Sequence, residues 1–123
     1  MKELIESKHA PQPSGPYSQG IKSGDFIFVS GQDGASGGDT IAGQTAASLN
    51  QINSILAEKG AGLEKIVHMT CHLSELNETT AEEFNRVYAD YFKEVAKKPA
   101  RITTGSQLLG AAKVEITAIA ELS

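Results

Sequence analysis

Apolar residues fall into a few regular patterns, separated by glycines, prolines and polar runs. Phe26-Ile27-Phe28-Val29 is short, continuous, and rich in aromatic and β-branched residues, which predicts a strand buried on both faces. A polar, glycine-rich loop is predicted over Gly31 to Gly38. From Thr40 to Lys59, Thr45, Leu49, Ile52 and Leu56 recur at helical spacing, and Gly60 and Gly62 supply the stop. Ile66 to Leu73 alternates, with Val67, Met69, Cys71 and Leu73 on one face and His68, Thr70 and His72 on the other, as in a half-buried strand. Thr80-Ala81-Glu82-Glu83 has the form of a capping box, and Phe84, Val87, Tyr88, Tyr91, Phe92 and Val95 then make an apolar stripe. Lys93, Lys97 and Lys98 suit the negative end of this second helix, and Pro99 ends it. Ala100 to Ser106 and Lys113 to Leu122 are predicted as a strand pair around Gly110, a hairpin centred near Leu108.

The order strand, helix, strand, helix, strand, strand predicts a single α+β domain over residues 1–123, with both helices on one face of the sheet. Ala10 to Pro16 is an extended, proline-rich lead-in. With 123 residues the chain buries enough surface to fold without disulfides or metals. The single cysteine, Cys71, has no intrachain partner, which points to a reducing compartment, and the N-terminus shows no secretory or organellar signal; the cytoplasm is expected. No stretch is apolar enough to span a membrane. The net charge of −4 gives no general attraction to phosphate backbones, so a nucleic-acid partner is not expected.

Two side chains stand out chemically. The guanidinium of Arg101 presents a rigid fork that fits a carboxylate at two points and stays charged at any working pH. Glu115 lies between Val114 and Ile116 in an apolar strand, where a carboxylate is costly unless paired or functional. A hairpin about Leu108 would set the two opposite each other, and periodicity alone reads them as a structural ion pair. His68 and His72 share a strand face but lie roughly 13 Å apart, too far to ligate one metal. Gly34 to Gly38 is not followed by the Gly-Lys-Ser/Thr of a P-loop. Cys71, on the apolar face, reads as an inert core residue.

An ordered set of short signatures runs through the chain: Gly15-Pro16-Tyr17-Ser18-Gln19-Gly20, Ser30-Gly31-Gln32, Pro99-Ala100-Arg101 and Val114-Glu115-Ile116. Gln44, Asn53-Ser54-Ile55-Leu56 and Phe84 to Phe92 extend it. In order and spacing the set resembles the RidA/YjgF family of reactive-intermediate deaminases. The resemblance implies a chorismate-mutase-like fold with a mixed sheet, assembled as a homotrimer. It implies hydrolysis of 2-enamino and 2-imino acids, such as 2-aminoacrylate, to 2-keto acids and ammonia, with neither metal nor organic cofactor. Arg101 would bind the substrate carboxylate, Glu115 would hold the attacking water, and Tyr17 would line the cleft. Ser30, Gly31, Asn85 and Thr103 fall at the family's binding positions. Each also has a plainer reading: an anchoring aromatic for Tyr17, a helix-surface polar group for Asn85, a turn for Gly31. Endoribonuclease activity, also attributed to the family, and a non-catalytic carboxylate-binding role are the alternatives.

The chain departs from the family pattern in places. Thr103 stands where many members have cysteine, which excludes a reaction that needs a thiol there. Gln107 to Ala112 lacks the usual leucine-proline pair and is one residue shorter. The loop after Gln32 is shorter and more polar, with Asp33 where an apolar residue is common, so substrate preference is expected to differ.

Overall fold

The computed structural model describes all 123 residues. Six strands form one sheet: β1 (Lys2–Ile5), β2 (Gly20–Ser23), β3 (Phe26–Asp33), β4 (Ile66–Leu73), β5 (Ala100–Gly105) and β6 (Val114–Glu121), in the order β1-β2-β3-β6-β4-β5. All neighbours are antiparallel except β4 and β5, which run parallel. Helices α1 (Ile41–Ala57) and α2 (Glu78–Tyr91) pack on each other, α1 against β3 and β6. The expected mixed sheet with two helices on one face is therefore present. No helix is long and apolar enough to cross a membrane.

The predicted pairing of β5 with β6 is wrong. β4 lies between them, pairing Met69 with Arg101 on one side and His72 with Glu115 on the other. β4, α2 and β5 form a β-α-β unit, whose crossover returns the chain parallel to the strand it left. β6 then takes the other edge of β4, and main-chain bonds from Ser74 to Lys113 and from Ser106 to Leu73 hold the two junctions.

The core lies between the sheet and the helices. α1 contributes Leu49, Ile52, Ile55 and Leu56; β4 gives Met69, Cys71 and Leu73; β6 gives Val114, Ile116, Ala118 and Ala120. α2 and its C-cap add Phe84, Tyr88 and Phe92, whose rings pack at 5.7 and 4.7 Å between successive centroids. Val67 is a second correction: a register shift between Ile66 and His68 leaves it exposed rather than in the apolar row.

The helix ends differ in detail from the sequence reading. Thr40 caps α1, accepting from the Gly43 amide at 3.0 Å. The capping box of α2 is Asn77 with Thr80, not Thr80 with Glu83. Glu83 instead accepts from the Ala42 amide at 2.8 Å, joining the two helices. α2 stops at Tyr91, well before Pro99, with Phe92 as its C-cap.

The opposite sheet face carries no helix. Leu4, Ile21, Phe28 and Ile119 follow one another across β1, β2, β3 and β6 in direct register. Leu4 and Phe28 are 54% and 45% exposed, and Ile102 on β5 is 54% exposed.

Candidate functional site

The bend in β3 builds the first half of the site. The register shifts between Val29 and Gln32, so Ser30 and Gly31 fall in a bulge where the strand meets β6. The Ser30 side chain donates to the Ser18 carbonyl and its amide to the Gln19 carbonyl, tying the bulge to the N-terminal lead-in. Gln19, fully buried, holds the lead-in by donating to the carbonyls of Ser7, Ala10 and Pro11. Tyr17 projects from the far end, 48% exposed, its hydroxyl accepting from the Ser14 amide at 3.3 Å.

Beside the bulge stands Glu115. Its neighbours Val114 and Ile116 are in the core, so strand alternation sends the carboxylate to the helix-free face. Gly31 lies directly against it: a Cβ added at Gly31 would overlap Glu115 Oε2. The close approach requires glycine, as its bland turn reading does not. A cleft of about 380 Å³ is lined by Tyr17, Ser30, Gly31 and Glu115, together with Ser14, Asp33 and Leu109.

Arg101 is elsewhere. Its cross-strand partner Met69 is in the core, and its own side chain turns to the helix side, onto α2. The guanidinium lies 4.5 Å from the Tyr88 ring centroid and 5.6 Å from that of Phe84, and donates to Asn85 Oδ1 at 2.5 Å. It has no carboxylate partner in the chain. A second hollow of about 340 Å³ is lined by Asn85, Tyr88, Ala89, Phe92, Lys98, Pro99 and Arg101. Arg101 and Glu115 thus belong to opposite faces of the sheet, and the structural ion pair is excluded.

Thr103 follows Arg101 on the helix-side face and opposes Cys71. Its hydroxyl is buried without a partner, and it lines neither hollow. Burial pushes the Cys71 thiol up to about 11, with the nearby Arg101 charge opposing the rise, so the thiol stays protonated and inert at neutral pH. The same burial pushes the Tyr88 phenol up to about 12.

Sequence reading missed the part Tyr88 plays beneath Arg101, because its place in the apolar stripe marked it as core. It also missed a cluster on the helix-free face, where His72 Nδ1 lies 3.0 Å from Ser106 Oγ and 3.1 Å from Thr104 Oγ1. Only the parallel pairing of β4 with β5 brings these three together.

The sequence model of the endoribonuclease L-PSP family matches residues 7–122. The chain belongs to the RidA/YjgF family. It is 41% identical to a RutC family protein of Pyrococcus horikoshii, covering 98% of each chain. It is 34% identical to the chloroplastic reactive intermediate deaminase A of Arabidopsis thaliana, over 98% of this chain and 66% of that protein. Among solved structures, Escherichia coli TdcF with bound serine superposes with a TM-score of 0.89 at 32% identity, covering 98% of this chain and 99% of that one. The E. coli YjgF protein gives a TM-score of 0.89 at 31% identity over the same shares. The family and the fold read from the signatures are therefore those the chain has.

Proposed function

We propose that this RidA/YjgF protein hydrolyses 2-imino acids, at clefts that form where copies of the chain meet in a homotrimer. The observation that carries this reading is the separation of Arg101 from Glu115. Arg101 is held by neutral partners only, an amide and two ring faces, leaving an exposed fork with no counter-charge, suited to an anion from outside the chain. Glu115 is held open by a bare glycine on the other face. Neither hollow alone has both a carboxylate receptor and a water-orienting base. Packing the exposed apolar sheet face of one copy against another would remove Leu4, Phe28 and Ile102 from water and could bring the two hollows together.

In the assembled cleft Arg101 takes the α-carboxylate of R–C(=NH)–COO⁻. Glu115 of a neighbouring copy orients a water, which attacks the imine carbon as the C=N electrons move to nitrogen. The tetrahedral aminol then expels ammonia and leaves R–CO–COO⁻. Proton transfers balance, since one water enters and one ammonia departs. The Tyr17 hydroxyl and the main chain at Gly31, both lining the cleft, would hydrogen-bond the substrate, while Ser30 and Asn85 hold the bulge and the guanidinium in position. Thr103, on the helix-side face of β5, contributes no thiol. Catalysis here rests on orientation and desolvation. The single buried thiol fits a reducing compartment, which we take to be the cytoplasm.

Two comparisons support the reading: the Arabidopsis relative bears the name reactive intermediate deaminase, and TdcF binds serine, a small amino acid with an α-carboxylate. The family description names an endoribonuclease, which favours RNA as a second substrate. Against it stands the net charge of −4. Hydrolysis of enzymatically generated 2-aminoacrylate, with wild type and Arg101→Ala side by side, tests the deaminase. RNA cleavage that survives rigorous purification and disappears with a cleft variant would establish the other.

A further inference from the structure

On its β3 side Glu115 is flanked by a second acid, while His72 is its neighbour on β4. Asp33 is the direct cross-strand partner of Glu115, so two carboxylates lie side by side at the end of β3. No lysine, arginine or histidine pairs with Asp33. Its side chain makes one hydrogen bond, accepting at Oδ1 from the Ala35 amide at 3.0 Å, which fixes it at the start of the following turn.

A narrower recess of about 130 Å³ adjoins the cleft and shares Ser14, Tyr17, Gly31 and Asp33 with it. Its remaining lining is mainly amide, including Gln12, Gln32 and Gln51. Gln51 is buried and immobilised: its Nε2 donates to Gln32 Oε1 at 3.3 Å and to the Asp33 carbonyl at 3.0 Å, and its Oε1 accepts from Ser36. The recess is thus a small, preorganised polar space with a carboxylate at its mouth.

We propose that Asp33 selects the substrate side chain, favouring 2-imino acids that end in a guanidinium, ammonium or amide over aliphatic and acidic ones. The proposal rests on the deaminase reading above. With the α-carboxylate on Arg101 and the imine carbon at Glu115, the side chain is the remaining substituent, and the wall it meets is that of Asp33 and the glutamines. An aliphatic chain there strips water from a carboxylate and returns nothing. A carboxylate chain is repelled by both acids. A donor-rich chain replaces the lost water contacts with charge-assisted hydrogen bonds.

The test supplies imines in situ from an L-amino acid oxidase acting on arginine, glutamine, leucine and glutamate, and measures keto-acid release with the purified full chain. 2-Aminoacrylate serves as the small reference substrate. The arginine-derived imine should exceed the leucine-derived one by about tenfold in kcat/KM, and added salt should narrow that gap. Asp33→Leu should invert the order. Asp33→Asn keeps the oxygen that caps the turn and should abolish the preference for the cation while the protein stays folded. An equal rate for all side chains, or an unchanged ratio in Asp33→Asn, overturns the Asp33 assignment and leaves the deaminase standing. No acceleration with any imine, 2-aminoacrylate included, overturns both.

Discussion

Arg101 and Glu115 project from opposite faces of one sheet, with β4 running between their strands. A site that uses both must therefore draw them from different copies of the chain. Arg101→Ala and Glu115→Gln should each be inactive alone. Mixed and reassembled together, they should regain activity, because random assembly gives about one cleft in four both intact groups. Recovery to about a quarter of wild-type turnover is expected. A mixture that stays as dead as its components, or a wild type that sediments as a monomer at micromolar concentration, rules out the shared cleft.

The guanidinium of Arg101 is planar and lies over the Tyr88 ring, with Asn85 on one edge of the fork. Lysine at this position would keep the charge but lose the two-point contact with a carboxylate. Arg101→Lys should reduce kcat/KM by well over tenfold. The melting temperature should move little, since the side chain is exposed and has no ion pair to lose. Turnover and melting are to be measured on the same preparation. Near-normal turnover with a lowered melting temperature would make Arg101 a clamp for α2 rather than a substrate ligand.

At Gly31 the obstacle is the Glu115 carboxylate itself, not the backbone, since Gly31 does not adopt a positive φ. Gly31→Ala should displace the end of a flexible side chain and leave the fold intact. Activity should fall by about tenfold or more while stability changes by no more than about 1 kcal/mol. Parallel kinetics and urea unfolding check this. An unfolded Gly31→Ala protein, or one with full activity, would count against Gly31 as the residue that keeps Glu115 open.

Much of the fold is legible in the sequence because burial is periodic. Leu49, Ile52 and Leu56 in α1, Phe84 and Tyr88 in α2, and Met69, Cys71 and Leu73 in β4 all lie where their spacing puts them. β1 is not legible: its residues Lys2, Glu3 and Leu4 are exposed, and Ile5 alone reaches the core. β2 is equally short and begins at a glycine, Gly20, packed beneath Ile55. The hairpin error has a different source. The eight residues between Gly105 and Val114 suggest adjacency, but strand order is decided by the α2 crossover and by β4, whose buried row needs neighbours on both edges. The site residues are identifiable by type, from the family signatures; that they divide between two faces follows from the strand order and is invisible without it.

The buried thiol offers a test that is independent of catalysis. The unfolded chain gives up the Cys71 proton near its ordinary value of 9.0, whereas the folded chain holds it to about 11. Between those values the unfolded state binds fewer protons, so stability falls as pH rises. Tyr88 acts in the same direction at higher pH, held from 10.0 up to about 12. Below about pH 9 the contribution is complete; above it, about 2–3 kcal/mol should be lost through Cys71 alone by pH 11. Urea unfolding midpoints for wild type and Cys71→Ala at pH 8, 9, 10 and 11 would show the loss as a steeper slope in the wild type. Small alkylating agents should leave the native protein active at pH 8 and label Cys71 only on unfolding. Parallel slopes for the two proteins, or rapid labelling of the folded wild type, would place the thiol outside the core.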